Sequence, residues 1–354
     1  MSTIIKVLPV KCGDAFFIKH TATDKKVRNI LIDGGFINAY KALQKVIEHI
    51  SKKKWVIDLW ILTHLDADHI NGAIQYLRDE EKTGKGKLLN KLWFNFFNGF
   101  KLNDDSAFLS FAKGFELTEI LQKLRVKGRQ DVTNELSPVT IGDAKIMLLS
   151  PDKATLTELK DRWKKEFKKY YLVDPPTYIV DPTGKDSKTI KELSKLKDAK
   201  EDWSKSGLSN RSSIALLYEE NGKGVLFMGD AYPSVIINSL MAKYSKKDPL
   251  KVKYVKLSHH GSRKNYSEDL LNIVKCRRFI ISADGENQHG LPDKEVLAKI
   301  LTHPNREKKK KIVFYFNHDD TRLRQLFDAE PDAQIKYNFR MKFPKAGKVL
   351  TVKF

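Results

Sequence analysis

Trp60-Ile61-Leu62-Thr63-His64-Leu65-Asp66-Ala67-Asp68-His69-Ile70-Asn71-Gly72 is the stretch that decides the fold. Its approach, from Asp58 to Leu62, is apolar and β-favouring, which predicts a buried strand ending at Thr63. Four residues able to ligate a metal then fall close together: His64, Asp66, Asp68 and His69. Ala73, Ile74, Tyr76 and Leu77 continue at helical spacing, so a helix is expected from near Ile70. A strand that stops and hands His and Asp to the loop before a helix can aim several donors at one point. One Asp here would be an ordinary helix cap; four clustered donors are not explained by capping. Imidazole with carboxylate suits Zn²⁺, Mn²⁺ or iron.

The same device recurs along the chain. Asn29 to Ile32 reads as a buried strand ending in Asp33-Gly34-Gly35. Gly224 to Met228 is another, ending in Gly229-Asp230. Val252 to Leu257 is a third, ending in Ser258-His259-His260-Gly261-Ser262, with Arg263 and Lys264 next to hold an anion. Ile4 to Ile18 reads as an opening hairpin, with Asp14 given a structural turn role. Ala39 to Lys52 predicts an amphipathic helix with Leu43, Val46, Ile47 and Ile50 on one face. Trp93, Phe94, Phe96, Phe97 and Phe100 predict a strand and turn against the core, and residues 108–126 a helix. Residues 152–206 are charged, broken by Pro and Gly near 174–184, and are expected as a helical insertion or lid with a second helix over 190–203. Residues 303–354 are expected as a basic C-terminal extension.

Thr63 to His69, T-H-L-D-A-D-H, resembles the H-x-[HD]-x-D-H signature of the metallo-β-lactamase fold. Asp at its third position is similar to the hydrolase domain of ComEC-type competence proteins and their stand-alone relatives. The H-H-G-S run at 259–262 resembles that group more than the β-lactamases. G-D-A at 13–15, D-G-G at 33–35, L-S-P at 149–151 and N-x-x-S at 210–213 fit the same pattern. The resemblance implies an α/β chain whose residues 1–302 form a four-layer αββα sandwich, with the extension packed on it.

It also implies two divalent metal ions, Mn²⁺ or Zn²⁺. His64 and Asp66 would hold the first. Asp68, His69 and one of the His259/His260 pair, His259 by preference, would hold the second, with Asp230 bridging. Asp33 would orient ligands from beneath. Asp68 and His260 are the expected catalytic groups, passing a proton to the leaving oxygen. Asn210, Ser213, Arg263, Lys264 and His289 are the expected substrate contacts. Two departures stand out. Relatives show N-x-Y-G-H-P after the last strand, but Leu291 stands where that His belongs and His289 where the Tyr belongs. No His lies between Ile70 and Gly229, so the first metal would be oxygen-rich, which favours Mn²⁺.

Composition narrows the class. The chain has 354 residues, 41% of them hydrophobic, and a net charge of +21. That length holds a full core. No apolar run approaches the roughly 18 residues of a membrane span, and the N-terminus lacks a signal peptide's order. Cys12 and Cys276 make no disulfide framework or metal clip, which fits a reducing cytoplasm. The charge points to a polyanion, with DNA foremost. Residues 251–354 carry 23 Lys/Arg against 12 Asp/Glu. The expected function is a metal-dependent phosphodiester hydrolase, a nuclease acting on DNA through an activated hydroxide. The alternatives are a small-molecule hydrolase of the same fold, and a basic nucleic-acid-binding module with a degenerate metal site.

Overall fold

The structure, a computed structural model, describes residues 2–83, 88–95, 109–166, 187–204, 207–285, 287, 289–346 and 348–354. Two sheets carry it. The first runs through β1 (Ser2–Val7), β2 (Phe16–Thr21), β3 (Val27–Ile32), β4 (Leu59–Ile61), β5 (Leu92–Trp93) and β6 (Gly128–Arg129) in that order. Its second sheet begins with β7 (Val139–Ile141), β8 (Ala144–Ser150), β9 (Ala215–Glu220) and β10 (Lys223–Phe227). β11 (Leu250–Lys251) and β13 (Val274–Lys275) pair with each other instead. β12 (Tyr254–Lys256), β14 (Arg278–Ile281), β15 (Ile312–Phe316) and β16 (Phe339–Lys342) complete the second sheet, and β17 (Leu350–Lys353) pairs antiparallel with β1. Residues 303–354 therefore supply two strands to one sheet and an edge to the other.

Alternation along the strands explains the layers. On β10, Val225 and Phe227 face the first sheet's Ile30, Ile32, Leu59 and Ile61 across a shared inner core. Leu226 points the other way, to the core beneath helix α4 (Pro233–Met241) and helix α5 (Lys294–Thr302). In the first sheet, Leu31 and Trp60 point out to helices α1 (Tyr40–Lys52), α2 (Ala67–Thr83) and α3 (Leu109–Lys123). Strands buried on both faces need unbroken apolar runs, which is how the sequence reads there. The result is helix, sheet, sheet, helix.

Helix α1 buries Leu43, Val46, Ile47 and Ile50, the face expected from spacing. Helix α2 begins at Ala67, a turn before the expected start, so Asp68 and His69 ride on its first turn. That start is pinned by close approach. A Cβ on Gly72 would lie 2.0 Å from the Gly34 carbonyl oxygen, so the glycine pair lets α2 sit directly on the end of β3. Gly34 N donates to His69 O at 2.6 Å and Gly72 N to Gly35 O at 2.9 Å. Residues 153–166 form the expected charged helix. The second is shorter than expected: only Ile190–Leu193 is helical, closed by a Thr189 capping box, and residues 194–204 follow without regular structure. Phe96 to Phe100 and residues 167–186 lie outside the described residues.

β3 and β4 run parallel, as do β10, β12 and β14. Their C-terminal ends meet at one rim. There Ile214 N donates to Thr63 O at 2.9 Å and Asn317 Nδ2 to Leu8 O at 3.0 Å, tying the sheets together. At the opposite rim, buried His20 lies 2.9 Å from Thr3 Oγ1 and contacts Asp143 through its other nitrogen. Glu220 Oε2 is 3.3 Å from His20 Nδ1, so this imidazole spans both sheets.

Candidate metal centre

Four histidines and three aspartates reach the shared rim from separate elements. His64 follows β4, Asp68 and His69 open α2, Asp230 follows β10, and His259 and His260 follow β12. Asp230 Oδ2 is the hub. Its distances to Nε2 of His69, His259, His64 and His260 are 3.5, 3.7, 3.8 and 3.8 Å. Two donors each ~2.1 Å from one tetrahedral cation would stand roughly 3.4 Å apart. His69 Nε2 to Asp68 Oδ2 is 3.4 Å, and His260 Nε2 to Asp68 Oδ2 is 3.1 Å. Asp68, His69, Asp230 and His260 thus place four donor atoms within 4.8 Å of one another. His64 Nε2 stands 3.5 Å from Asp66 Oδ2. His64 Nε2, His69 Nε2 and Asp230 Oδ1 are buried without a hydrogen-bond partner. A divalent cation fits this donor set, since it would satisfy the orphaned atoms.

Each ring is turned by a defined acceptor on its far side. Ser282 O can only accept, so His260 Nδ1 donates to it at 2.8 Å and leaves Nε2 for the centre. Asp33 Oδ2 accepts from His69 Nδ1 at 2.8 Å. Asp33 also accepts from Thr63 N and Thr63 Oγ1, at 2.7 and 2.8 Å. With its proton spent on Asp33, Thr63 Oγ1 accepts from His64 Nδ1 at 3.0 Å. Asn265 Nδ2 donates to Asp230 O, which leaves Asn265 Oδ1 to accept from His259 Nδ1 at 2.9 Å. Four different acceptors therefore fix four tautomers, all presenting Nε2 inward.

The backbone holds strain at this point. His259 and His260 both have left-handed φ values, 44° and 56°, followed by Gly261 at 88°. Two consecutive non-glycine residues in that region cost roughly 1–2 kcal/mol each. The conformation persists where the surroundings fix it. Here His259 N donates to Gly229 O at 3.0 Å and Asp293 N to Gly261 O at 3.1 Å.

The sequence reading gave His259 to the second metal and left His260 free for proton transfer. The structure brings His260 into the group with Asp68 and His69, while His259 is partly exposed and touches Asp230 alone among the carboxylates. Two consecutive left-handed residues aim the rings differently from what a simple strand end would do. Ser213 is fully buried, and its hydroxyl accepts from Asp230 N at 3.0 Å, so it braces the loop rather than facing solvent. Asn210 Nδ2 lies 3.4 Å from His259 Nδ1. Asp66 Oδ1 accepts from Ser209 Oγ at 2.7 Å. Arg263 is half-exposed and 3.7 Å from Glu295; Lys264 is exposed. His289 stands on an exposed turn outside the donor cluster.

One functional group escaped the sequence reading altogether. Lys256, in β12, is fully buried; its ammonium contacts the Asp14 carboxylate, donates to Gly229 O at 3.0 Å and lies 3.8 Å from Asp230 Oδ1. Asp14 Oδ1 is also 3.6 Å from His260 Nδ1. The legible signal was a lysine between Val255 and Leu257, in a strand otherwise apolar at that depth.

Charge in the metal-free centre is strongly coupled. Burial pushes the His69 imidazole down, but Asp230, Asp68 and Asp33 overcome it and hold it well above its ordinary value. His260 is likewise raised, by Asp230, Asp68 and Asp14 against its burial. Burial pushes Asp230 and Asp68 up, yet the neighbouring imidazoles hold both well below the carboxylate range. These protonated rings stabilise the metal-free fold fully below about pH 6.5, and that contribution is lost as pH rises through their raised values. The depressed carboxylates contribute above about pH 4 and lose it as pH falls through their lowered values. A cation must displace the imidazole protons. Metal binding is expected to release protons at pH 7, and affinity to climb as pH rises above 6.5. Calorimetric titration of Mn²⁺ in buffers of different ionisation enthalpy checks this; a buffer-independent heat would contradict it.

Among the described residues, no helix is long and apolar enough to cross a membrane. No protein-family model matches the chain, and no curated protein does. Solved structures give similarity at low identity. One is the E377D mutant of the β-hydroxylase CmlA, at 12% identity and TM-score 0.43, covering 100% of this chain and 54% of that one. The chain thus spans about half of CmlA's length. Zn²⁺-bound PqqB from Methylobacterium extorquens shares 10% identity over 99% of this chain and 100% of its own, at TM-score 0.42. A diphosphatase of the PhnP family shares 11% over 100% and 98%, at TM-score 0.41. By its own layers, its parallel strand ends and the donors gathered on them, the chain has the four-layer αββα sandwich of the metallo-β-lactamase fold.

Proposed function

We propose that this chain is a metal-dependent phosphodiester hydrolase, a nuclease of the ComEC-like type acting on DNA. The observation that carries the proposal is the convergence of four imidazole Nε2 atoms on Asp230 Oδ2, with Asp66 and Asp68 alongside. In this reading Asp68, His69, Asp230 and His260 hold one Mn²⁺ or Zn²⁺. His64, Asp66 and Asp230 hold a second, with His259 supplying the nitrogen that the stretch from Ile70 to Gly229 lacks. Cations held there supply Lewis acidity and lower the pKa of water towards neutrality.

The chain's own residues do the rest. Asp33, Thr63, Asn265 and the Ser282 carbonyl keep every ligating ring in register, so no reorganisation is needed during turnover. Arg263, Lys264 and His289 line the outer approach and hold the phosphodiester. With Asp68 and His260 assigned to the cation, neither serves as the proton donor in this reading. The charge of +21 draws a polyanion to the rim.

The test is incubation of the protein with plasmid and with single-stranded oligonucleotide in Mn²⁺, Mg²⁺ or Zn²⁺, beside His64→Ala and Asp230→Ala. Metal-dependent cleavage that falls by at least ~10²-fold in both variants is expected. Salt-sensitive binding without cleavage under any metal would replace the nuclease with a binding module. Turnover of small esters alone would move the reading to a small-molecule hydrolase.

A further inference from the structure

The strands that end at the metal centre begin at a second feature. Lys251 precedes β12 and Arg278 opens β14, and between these strand starts and the end of α5 lies a hollow of about 530 Å³. Lys251, Lys275, Arg277, Arg278, Arg306 and Lys310 line it. Six of the sixteen described residues that line this hollow are Lys or Arg. Among the described lining residues Glu307 is the one carboxylate, and it is already paired with Lys310 at 2.5 Å.

The cations are also partly built in. The Arg306 guanidinium donates to the carbonyls of Leu301, Tyr337 and Asn338, while its Nε is buried without a hydrogen-bond partner. The Arg278 guanidinium sits 5.8 Å from the centroid of the Tyr254 ring. Val274, Ile300 and Ile312 make an apolar floor. Bringing this many like charges into one concavity costs free energy unless an anion joins them. Guanidinium and ammonium groups suit phosphate oxygens. The volume falls within the roughly 300–1,000 Å³ of small-molecule pockets, whereas a nucleic-acid backbone calls for a long charged track.

We propose that this hollow binds a compact polyphosphate anion, a nucleoside triphosphate in the first instance, at a site separate from the metal centre. Lys275 and Arg277, both exposed, engage the phosphate chain at the mouth; Arg278 and Arg306 engage it nearer the floor. The proposal is independent of the hydrolase reading.

Calorimetric titration of the full chain in EDTA, which removes cation-mediated phosphate binding, tests it. The ligands are ATP, inorganic tripolyphosphate and a short single-stranded oligonucleotide. Saturable one-to-one binding of ATP is expected, weakened roughly tenfold or more in Lys275→Glu/Arg277→Glu. It should be unchanged in Lys345→Glu/Lys348→Glu, which makes the same charge change on another exposed segment, and in Asp230→Ala. ATP binding more tightly than tripolyphosphate supports a nucleoside ligand; equal binding supports the phosphate chain alone. Absence of saturable binding overturns the proposal. So does equal weakening in both charge-reversed variants, or an oligonucleotide that outcompetes both small anions at the same residues.

Discussion

Asp230→Ala should lower the affinity of the centre for Mn²⁺ or Zn²⁺ by more than about hundredfold, the largest effect expected from any single substitution here. Among the described residues no other carboxylate lies within 4 Å of all four imidazoles. Removing it takes a donor from each of the two proposed sites. It also takes away the charge that does most to offset burial at His69 and His260, so those rings protonate less readily. Easier deprotonation favours metal, but only in part; a missing ligand is not replaced by a freer one. Asp33→Asn is the informative comparison. It leaves every ligand in place and weakens the acceptor that fixes His69, so a loss of roughly 10–100-fold is expected. His49→Ala, at a ring packed 5.8 Å from Trp55 and away from the rim, should change nothing. Metal titration followed by calorimetry ranks the three, with circular dichroism confirming that each folds. Parental affinity in Asp230→Ala would remove the hub from the account.

Much of this was legible because the fold is written in strand ends. A buried strand needs an apolar run, and its end needs a turn, so Leu62-Thr63-His64, Phe227-Met228-Gly229-Asp230 and Leu257-Ser258-His259 each declare both the strand and what it carries. The buried face of α1 was readable for the same reason, since one burial period governs it. What stayed hidden depends on geometry that has no local spelling. Whether His259 or His260 turns inward is decided by two left-handed φ values and by the Ser282 carbonyl, 22 residues away. Ser213 looked like a pocket residue because of the resemblance carried by Asn-x-x-Ser; only the fold shows its hydroxyl under the Asp230 loop. The helix start was misplaced by one turn because Asp66 O accepts from both His69 N and Ile70 N, drawing Ala67 to His69 into the helix.

Lys256→Met is the second large effect, and it acts on stability rather than on metal. Lys256 and Asp14 are both buried and in contact, with no solvent to screen either. Removing one member of a buried pair leaves the other as an uncompensated charge, at a cost of about 3–5 kcal/mol. Methionine keeps most of the volume, so little of that loss is packing. The pair itself is a different quantity, because desolvating both ions offsets most of their attraction. Asp14→Asn/Lys256→Met should therefore be more stable than Lys256→Met alone, by roughly 1–3 kcal/mol. Recovery should stop short of the parent, since Lys256 also donates to Gly229 O and faces Asp230. Urea unfolding of the metal-free proteins measures this: midpoints should order as parent, double variant, single variant, with unchanged slopes. A single variant as stable as the parent would mean that Asp14 finds another cation, and the ammonium would then have no part in holding the strand ends together.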